Sequence, residues 1–366
     1  MPFADEMISA GTAESLTRAI GAAAPDAALP HLRGAAARLD GLALRERADL
    51  LRDALLADVP GTHADLARVV RTAAPALQGW MVWPVTAAVA ARAVEDGTTA
   101  AFDDAMDLLA ELTGILTSEF AIRTLLRHDL DRALSAVATW TGSAEADVRR
   151  LASEGTRPYL PWAVRVPELA RRPGVTVPVL DALYRDPSEY VRRSVANHLN
   201  DLSRDHPALV VDTAARWLAE PDANTGRLVR HGLRTLVKRG DRGALALLGF
   251  AAAEASVQID GPHLDRELLR VGESLGLRAT VRNVGEDDVR LTVDYVVHHR
   301  KANGTRSPKV FKLTTATLRP GQSLALQRTH SFRPITTRRY HSGPHAISLQ
   351  VNGVATETVE FELVTG

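Results

Sequence analysis

The stretch Asp186-Pro187-Ser188-Glu189-Tyr190-Val191-Arg192-Arg193-Ser194-Val195-Ala196-Asn197-His198-Leu199-Asn200-Asp201 decides the fold of the first two thirds of the chain. Asp-Pro-Ser is a helix start signal. Glu189 adds a carboxylate to the first turn, where the helix dipole favours it. Read on to Arg204, the segment places Val191, Val195, Leu199 and Leu202 at helical spacing, a buried face. Arg193, Asn197, Asp201 and Arg204 fall on another face, which a solvated row of i,i+4 ion pairs would explain equally well. The motif recurs. Val148-Arg149-Arg150, Val191-Arg192-Arg193 and Val229-Arg230-His231 each sit early in an amphipathic segment, 43 and 38 residues apart. Periods near 40 residues with paired helices mark HEAT-like solenoids, whose stacked repeats present a concave surface.

Around this core, residues 1 to about 250 are rich in Ala, Leu, Arg and Glu, all good helix formers. In the run from Leu44 to Leu56, positions 44, 48, 51 and 55 are apolar at helical spacing. Pro60-Gly61, Asp96-Gly97 and Arg172-Pro173-Gly174 punctuate the helices. From about Ser256 the period changes from 3.6 to 2. Leu275 to Arg282 alternates, as does Ile347 to Val351, and Asn303-Gly304 and Asn352-Gly353 are hairpin signals. The expected architecture is multidomain: an all-α HEAT-like repeat solenoid over 1–252, then a small all-β immunoglobulin-like sandwich over 256–366.

The 366 residues include no cysteine, which excludes disulfides, thiolate nucleophiles and cysteine-ligated zinc or iron–sulfur centres. The first residues, Met1-Pro2-Phe3-Ala4-Asp5-Glu6, are acidic where a signal peptide is basic. The longest apolar run, Ala244 to Ala253, is short of the ~20 residues of a spanning helix, so a cytoplasmic protein without membrane contact is expected. The net charge of zero conceals an asymmetry: residues 1–150 sum to −7 and residues 151–366 to +7. Arg outnumbers Lys 40 to 4, a usage that follows in part from base composition. The planar fork of Arg also suits phosphates, so the positive half points weakly to a polyanion.

Three clusters interleave carboxylates with arginines. Glu119, Arg123 and Arg127 follow the start signal Thr117-Ser118 at i, i+4 and i+8; Arg150, Glu154 and Arg157 sit at i, i+4 and i+7; the third is the 193–204 face. Singly, each is a surface salt bridge. On successive repeats they would line one groove. After Glu154 comes Gly155-Thr156-Arg157-Pro158-Tyr159-Leu160-Pro161-Trp162-Ala163, where two prolines favour extended backbone and could aim Trp162 at that groove. Trp80, Trp83, Trp140 and Trp217 are read as structural. Phosphate loops, a dinucleotide GxGxxG and HExxH are absent. His298-His299 are adjacent on an expected strand and face opposite ways. Gly272-Glu273-Ser274-Leu275-Gly276 matches a nucleophile elbow, but a strand follows it rather than a helix. No cofactor and no metal are expected.

The segment Asp186–Asp201, together with Thr117-Ser118-Glu119-Phe120-Ala121-Ile122-Arg123 and Glu154-Gly155-Thr156-Arg157-Pro158 running on to Pro161-Trp162, resembles the AlkC family of DNA alkylation repair glycosylases. The resemblance covers roughly residues 1–250, and residues 256–366 fit the subtype with an added immunoglobulin-like module. It implies base excision repair of cationic N3-methylated bases, 3-methyladenine and 3-methylcytosine, in double-stranded DNA, by a monomer. By analogy with the related AlkD, no deep base pocket is expected. On this resemblance Glu119 and Asp201 are expected to carry the catalysis, with Glu154 as a supporting catalytic acid and Trp162 as the lesion contact. It makes Arg123, Arg150, Arg157, Arg193, Asn197, Arg227, Arg230 and Arg234 the DNA-binding set, the last three on one later helix. The acid nearest C1′ stays open. So does the β-module's role, because Arg300-Lys301, Arg306, Lys309, Lys312 and Arg338-Arg339 would serve a DNA grip or a solubilising cap. A non-catalytic HEAT-repeat scaffold is the alternative, and carboxylates facing the groove argue against it.

Overall fold

Helices occupy the chain from Ala4 to Leu247 and strands from Val257 to Val364, so the period changes where the sequence changes. The structure, a computed structural model, describes residues 4–250, 256–336 and 338–365. The boundary expected at 252 lies outside the described residues. The chain packs as two compact units, Met1–Gly232 and Leu233–Gly366.

The first unit is built on six helices: α1 (Leu44–Asp58), α2 (Val82–Asp96), α3 (Ile122–His128), α4 (Ala146–Glu154), α5 (Glu189–Leu202) and α6 (Thr225–Gly232). α1 packs on α2, α2 on α3, α4 on α5 and α5 on α6, and the helices that lie between them in the chain complete the pairs. The repeated Val-Arg segments lie on α4, α5 and α6, as the 43- and 38-residue spacings imply. Val191, Val195, Leu199 and Leu202 are buried, as are Ala48, Leu51 and Leu55 on α1. α2 stops at Gly97, whose φ of +72° only a residue without Cβ adopts at no cost. Ser188 makes no side-chain cap on α5; Asp186 accepts its N–H instead, at 2.8 Å, while pairing with Arg149 at 2.6 Å.

In the second unit, β1 (Val257–Leu264), β3 (Ser274–Asn283) and β6 (Ser323–Ser331) form a three-stranded sheet in the order β1-β3-β6. β2 (Leu268–Arg270), β4 (Val289–Arg300), β5 (Arg306–Leu318), β7 (Gly343–Val351) and β9 (Val359–Val364) form the second sheet in the order β2-β9-β7-β4-β5, with β8 (Val354–Ala355) on β7. Alternating residues such as Leu277, Val281, Leu291, Val293, Leu349 and Phe361 meet in its core. Asn352-Gly353 makes the two-residue turn between β7 and β8, both with positive φ as a type I′ turn requires.

The unit also takes the short helices Arg234–Arg239 and Arg242–Leu247. A Cβ on Gly353 would stand 2.6 Å from the Gly240 carbonyl, so the two backbones touch. Gln350 donates to the Lys238 carbonyl at 3.2 Å, and Arg290 donates to Leu248 at 3.1 Å while covering the Phe250 ring. These contacts move the compact break ahead of the change in secondary structure.

His298 and His299 on β4 do face opposite ways. His298 bonds Ser348 at 3.0 Å, and His299 lies inside among His330, Phe332, Tyr340 and His345. His299 is 5% exposed and neither ring nitrogen has a partner among the described residues. Burial, helped by Arg338, pushes its pKa down to about 3, and that of His330 to about 4. Both are neutral when folded, while the unfolded chain takes up protons below about 6.5. Stability is therefore full above that value and is lost as pH falls toward 4, by up to about 1.4 kcal/mol per pH unit for each ring. The sandwich's unfolding free energy should drop by about 3 kcal/mol between pH 6.5 and 5. His299→Phe should remove about half of that slope in thermal melts, and an unchanged slope would refute the assignment.

Candidate active site

Three acids reach the helical unit's centre by different local devices. Glu119 precedes α3. Thr117 donates to its Oε2 at 3.1 Å and receives its backbone N–H at 3.3 Å. Glu154 is the last residue of α4, and Asp201 lies in the last turn of α5. Two arginines join them. Arg150 bonds Glu119 at 2.6 Å and stands 3.6 Å from Glu154; Arg157 bonds Glu154 at 2.5 Å and Asp201 at 2.9 Å. The result is one chain of alternating charge, Glu119–Arg150–Glu154–Arg157–Asp201.

A cleft of about 250 Å³ opens on this chain. Its walls include Glu119, Glu154, Arg157, Trp80, Phe120 and Trp162. Trp162 is 49% exposed and has a φ of +61°, a strained value for a non-glycine residue. Arg45 holds its carbonyl, and a second hollow lined by Met7, Leu44 and Trp83 lies against the same side chain. Trp83 stacks on Phe120 with ring centroids 4.3 Å apart. Burial pushes the Glu119 carboxyl above the ordinary range; Arg150 opposes the shift and Glu154 adds to it.

Several expectations need correction. Asp201 is 2% exposed and does not line the cleft, which it reaches only through Arg157. Glu119 does not stack on Arg123 and Arg127, because α3 begins at Ile122. Arg123 is fully buried, so it cannot reach a phosphate. It donates instead to the carbonyls of Val164 at 2.5 Å, Gly155 at 3.1 Å and Arg157 at 2.9 Å. Burial lowers its pKa to about 10, which leaves it charged at neutral pH. This clamp replaces the extended backbone expected around Tyr159-Leu160 with successive turns. Arg150 and Arg157 are occupied by carboxylates rather than free for DNA. Trp80 is a wall of the cleft, whereas Trp83, Trp140 and Trp217 are core residues as expected.

Exposed arginines do exist on the last two repeats. Arg193 on α5 and Arg227 and Arg230 on α6 are exposed, and Arg193 and Arg227 border a hollow of about 230 Å³. Arg227 pairs with Glu189 at 2.8 Å, and Asn197 bonds His231 at 3.1 Å. Arg234 does not share their helix: it begins Arg234–Arg239, in the second unit. In the sandwich, Arg306 pairs with Glu360 at 2.7 Å and Lys312 bonds Thr292. Gly272 to Gly276 is a turn running into β3, not an elbow. Among the described residues no group of three or more metal-ligating side chains is assembled, and no helix is long and apolar enough to cross a membrane.

Phe120 and Trp80 also line the cleft. Phe120 follows Glu119 directly, whereas the place of Trp80, read from the sequence as structural, needs the packing.

A HEAT-like helical unit with a carboxylate-lined cleft, followed by an immunoglobulin-like sandwich, defines a narrow class of proteins. Residues 258–365 match the family described as the C-terminal Ig-like domain of uncharacterised protein YhaZ. YhaZ of Bacillus subtilis strain 168 is 33% identical over 322 residues, 88% of each chain. The alkylpurine DNA glycosylase AlkC of Pseudomonas fluorescens, solved bound to DNA containing an abasic site analog, is 33% identical. Its TM-score is 0.87, over 99% of this chain and 100% of that one. The chain belongs to the AlkC family.

Proposed function

We propose that the chain is a DNA glycosylase of alkylation repair, hydrolysing the N-glycosidic bond of cationic N3-methylated bases, 3-methyladenine first and 3-methylcytosine with it. The observation that carries this reading is the cleft: Glu119 and Glu154 face solvent-accessible space beside an exposed tryptophan, in a chain that matches AlkC from end to end. A groove that only bound phosphates would gain nothing from carboxylates there.

Methylation at N3 makes the base a cation that leaves with the C1′–N electron pair as a neutral molecule. No acid has to protonate it. The barrier is the positive charge growing on the sugar. Glu119 and Glu154 stabilise that charge, and either can orient the water whose oxygen bonds C1′ and accept the proton that water loses. Asp201 contributes by holding Arg157. Trp162 packs on the sugar or the cationic base, worth about 1–2 kcal/mol when desolvated. The reaction is proposed to run without a cofactor, in the cytoplasm, by a monomer on double-stranded DNA. The test is release of methylated bases from alkylated duplex DNA by the purified protein. No release above the spontaneous rate would refute the reading.

Arg193, Arg227 and Arg230 are the proposed phosphate contacts, with Asn197 beside them. Affinity should fall linearly in a log–log plot against salt, and Ala at each arginine should reduce the slope by about 1. Slopes unchanged in all three variants would remove these residues from the DNA grip.

A further inference from the structure

Glu154 stands at the C-terminal end of α4, where the helix dipole disfavours a carboxylate. Its two oxygens are held differently: Oε1 takes Arg157 and faces Arg150, while Oε2 takes the Ser194 hydroxyl at 2.7 Å. A carboxylate can only accept, so Ser194 donates and its own oxygen is left to accept. Ser153 supplies that proton at 2.6 Å, a shorter contact than its alternative at 3.1 Å to the Arg150 carbonyl. Ser153 is fixed in turn. Its carbonyl receives His198 Nδ1 at 2.8 Å, and Thr176 meets His198 Nε2 at 3.1 Å. A carbonyl cannot donate, and burial holds His198 neutral with a pKa of about 4, so Nδ1 carries the proton and Thr176 donates to Nε2. Ser153, Ser194, His198 and Thr176 are all buried, and the Ser153 and Ser194 hydroxyls donate in one direction, ending on Glu154.

We infer that Ser194 is a positioning residue for base release: backed by Ser153 where α4 packs on α5, it locks the rotation of the Glu154 carboxylate facing the cleft. The terminal torsion of a glutamate is soft. With only Oε1 anchored, the group can swing between Arg150 and Arg157. With both oxygens bonded, the carboxylate is held in one orientation beside the cleft. This rests on the glycosylase reading, and its test separates the two.

The experiment measures single-turnover release of methylated bases from alkylated duplex DNA with enzyme in excess, beside the melting temperature. Ser194→Ala should lose about tenfold or more. Ser153→Ala, which leaves no gap beside Glu154, should lose several-fold. Combining either with Glu154→Gln should cost no more than Glu154→Gln alone, because the serines act only through that carboxylate. A purely structural role would instead multiply the losses. If Ser194→Ala does not fold, Ser153→Ala and its double variant decide alone. Full activity in the serine variants, or multiplied losses, overturns the inference while the wild type still releases base. A wild type that releases none overturns the glycosylase reading and the inference with it.

Discussion

Glu119→Gln and Glu154→Gln are each expected to lose ~100-fold or more in base release, the usual cost of removing one well-placed electrostatic group. Both acids face the cleft, and both are bonded to arginines. Breaking a buried ion pair can cost several kcal/mol, so a structural role competes with the catalytic one. Glutamine keeps an acceptor oxygen for Arg150 or Arg157, and Arg150 and Arg157 each retain a second acid. The destabilisation should stay near 1–2 kcal/mol, a few degrees in a unit of this size. A rate loss that far exceeds the loss of folded protein identifies chemistry. Asp201→Asn should fall less steeply, tenfold or more, since Asp201 acts only through Arg157. The pH dependence gives an independent check. Burial raises the Glu119 carboxyl, so activity should decline on the acid side at a pH above the ordinary carboxylate range, as the needed negative charge is neutralised. Glutamine variants that retain full rates would refute the assignment.

The fold was legible because its signals are periodic. Val148, Val191 and Val229 mark the helices α4, α5 and α6, and the shift to alternation at Ser256 marks the sandwich. Each is a local pattern read without knowing what packs on what. The compact break at Gly232 was not legible. It depends on two glycine backbones, Gly240 and Gly353, meeting across more than a hundred residues. The site divides the same way. The acids, Arg157 and Trp162 stand in motifs long enough to recognise, and four of those five residues, Glu119, Glu154, Arg157 and Trp162, line one cleft. Spacing gives only part of the pairing: Glu154 does meet Arg150 and Arg157 within its own cluster, but the other ion pairs cross between repeats, Arg150 reaching Glu119, 31 positions away, and Arg157 reaching Asp201, 44 positions away. Burial is the other blind spot. An arginine in an Arg-rich helix looks like a surface group until the helix's orientation is known, and Arg123 and Arg193 differ only in that.

That difference makes the two residues opposite in effect. Arg123→Ala should destabilise the helical unit by about 3 kcal/mol, because three carbonyls lose their donor in a site closed to water. At 2–4 °C per kcal/mol that is a fall of roughly 6–12 °C in Tm. Lysine cannot restore it, since a single ammonium on a thinner stem does not span carbonyls on Gly155, Arg157 and Val164 as a planar fork does. Base release should fall with it even where the protein is folded, because those three carbonyls belong to the loop that carries Arg157 and Trp162. The salt slope of DNA binding should not change, since no phosphate contact is lost. Arg193→Ala should do the reverse: Tm within about a degree, as expected of an exposed side chain, and a salt slope reduced by about 1. Melting curves and salt titrations of these two variants therefore separate an arginine that builds the cleft from one that holds DNA. An Arg123→Ala protein with unaltered Tm and a reduced slope would place Arg123 on the DNA surface after all.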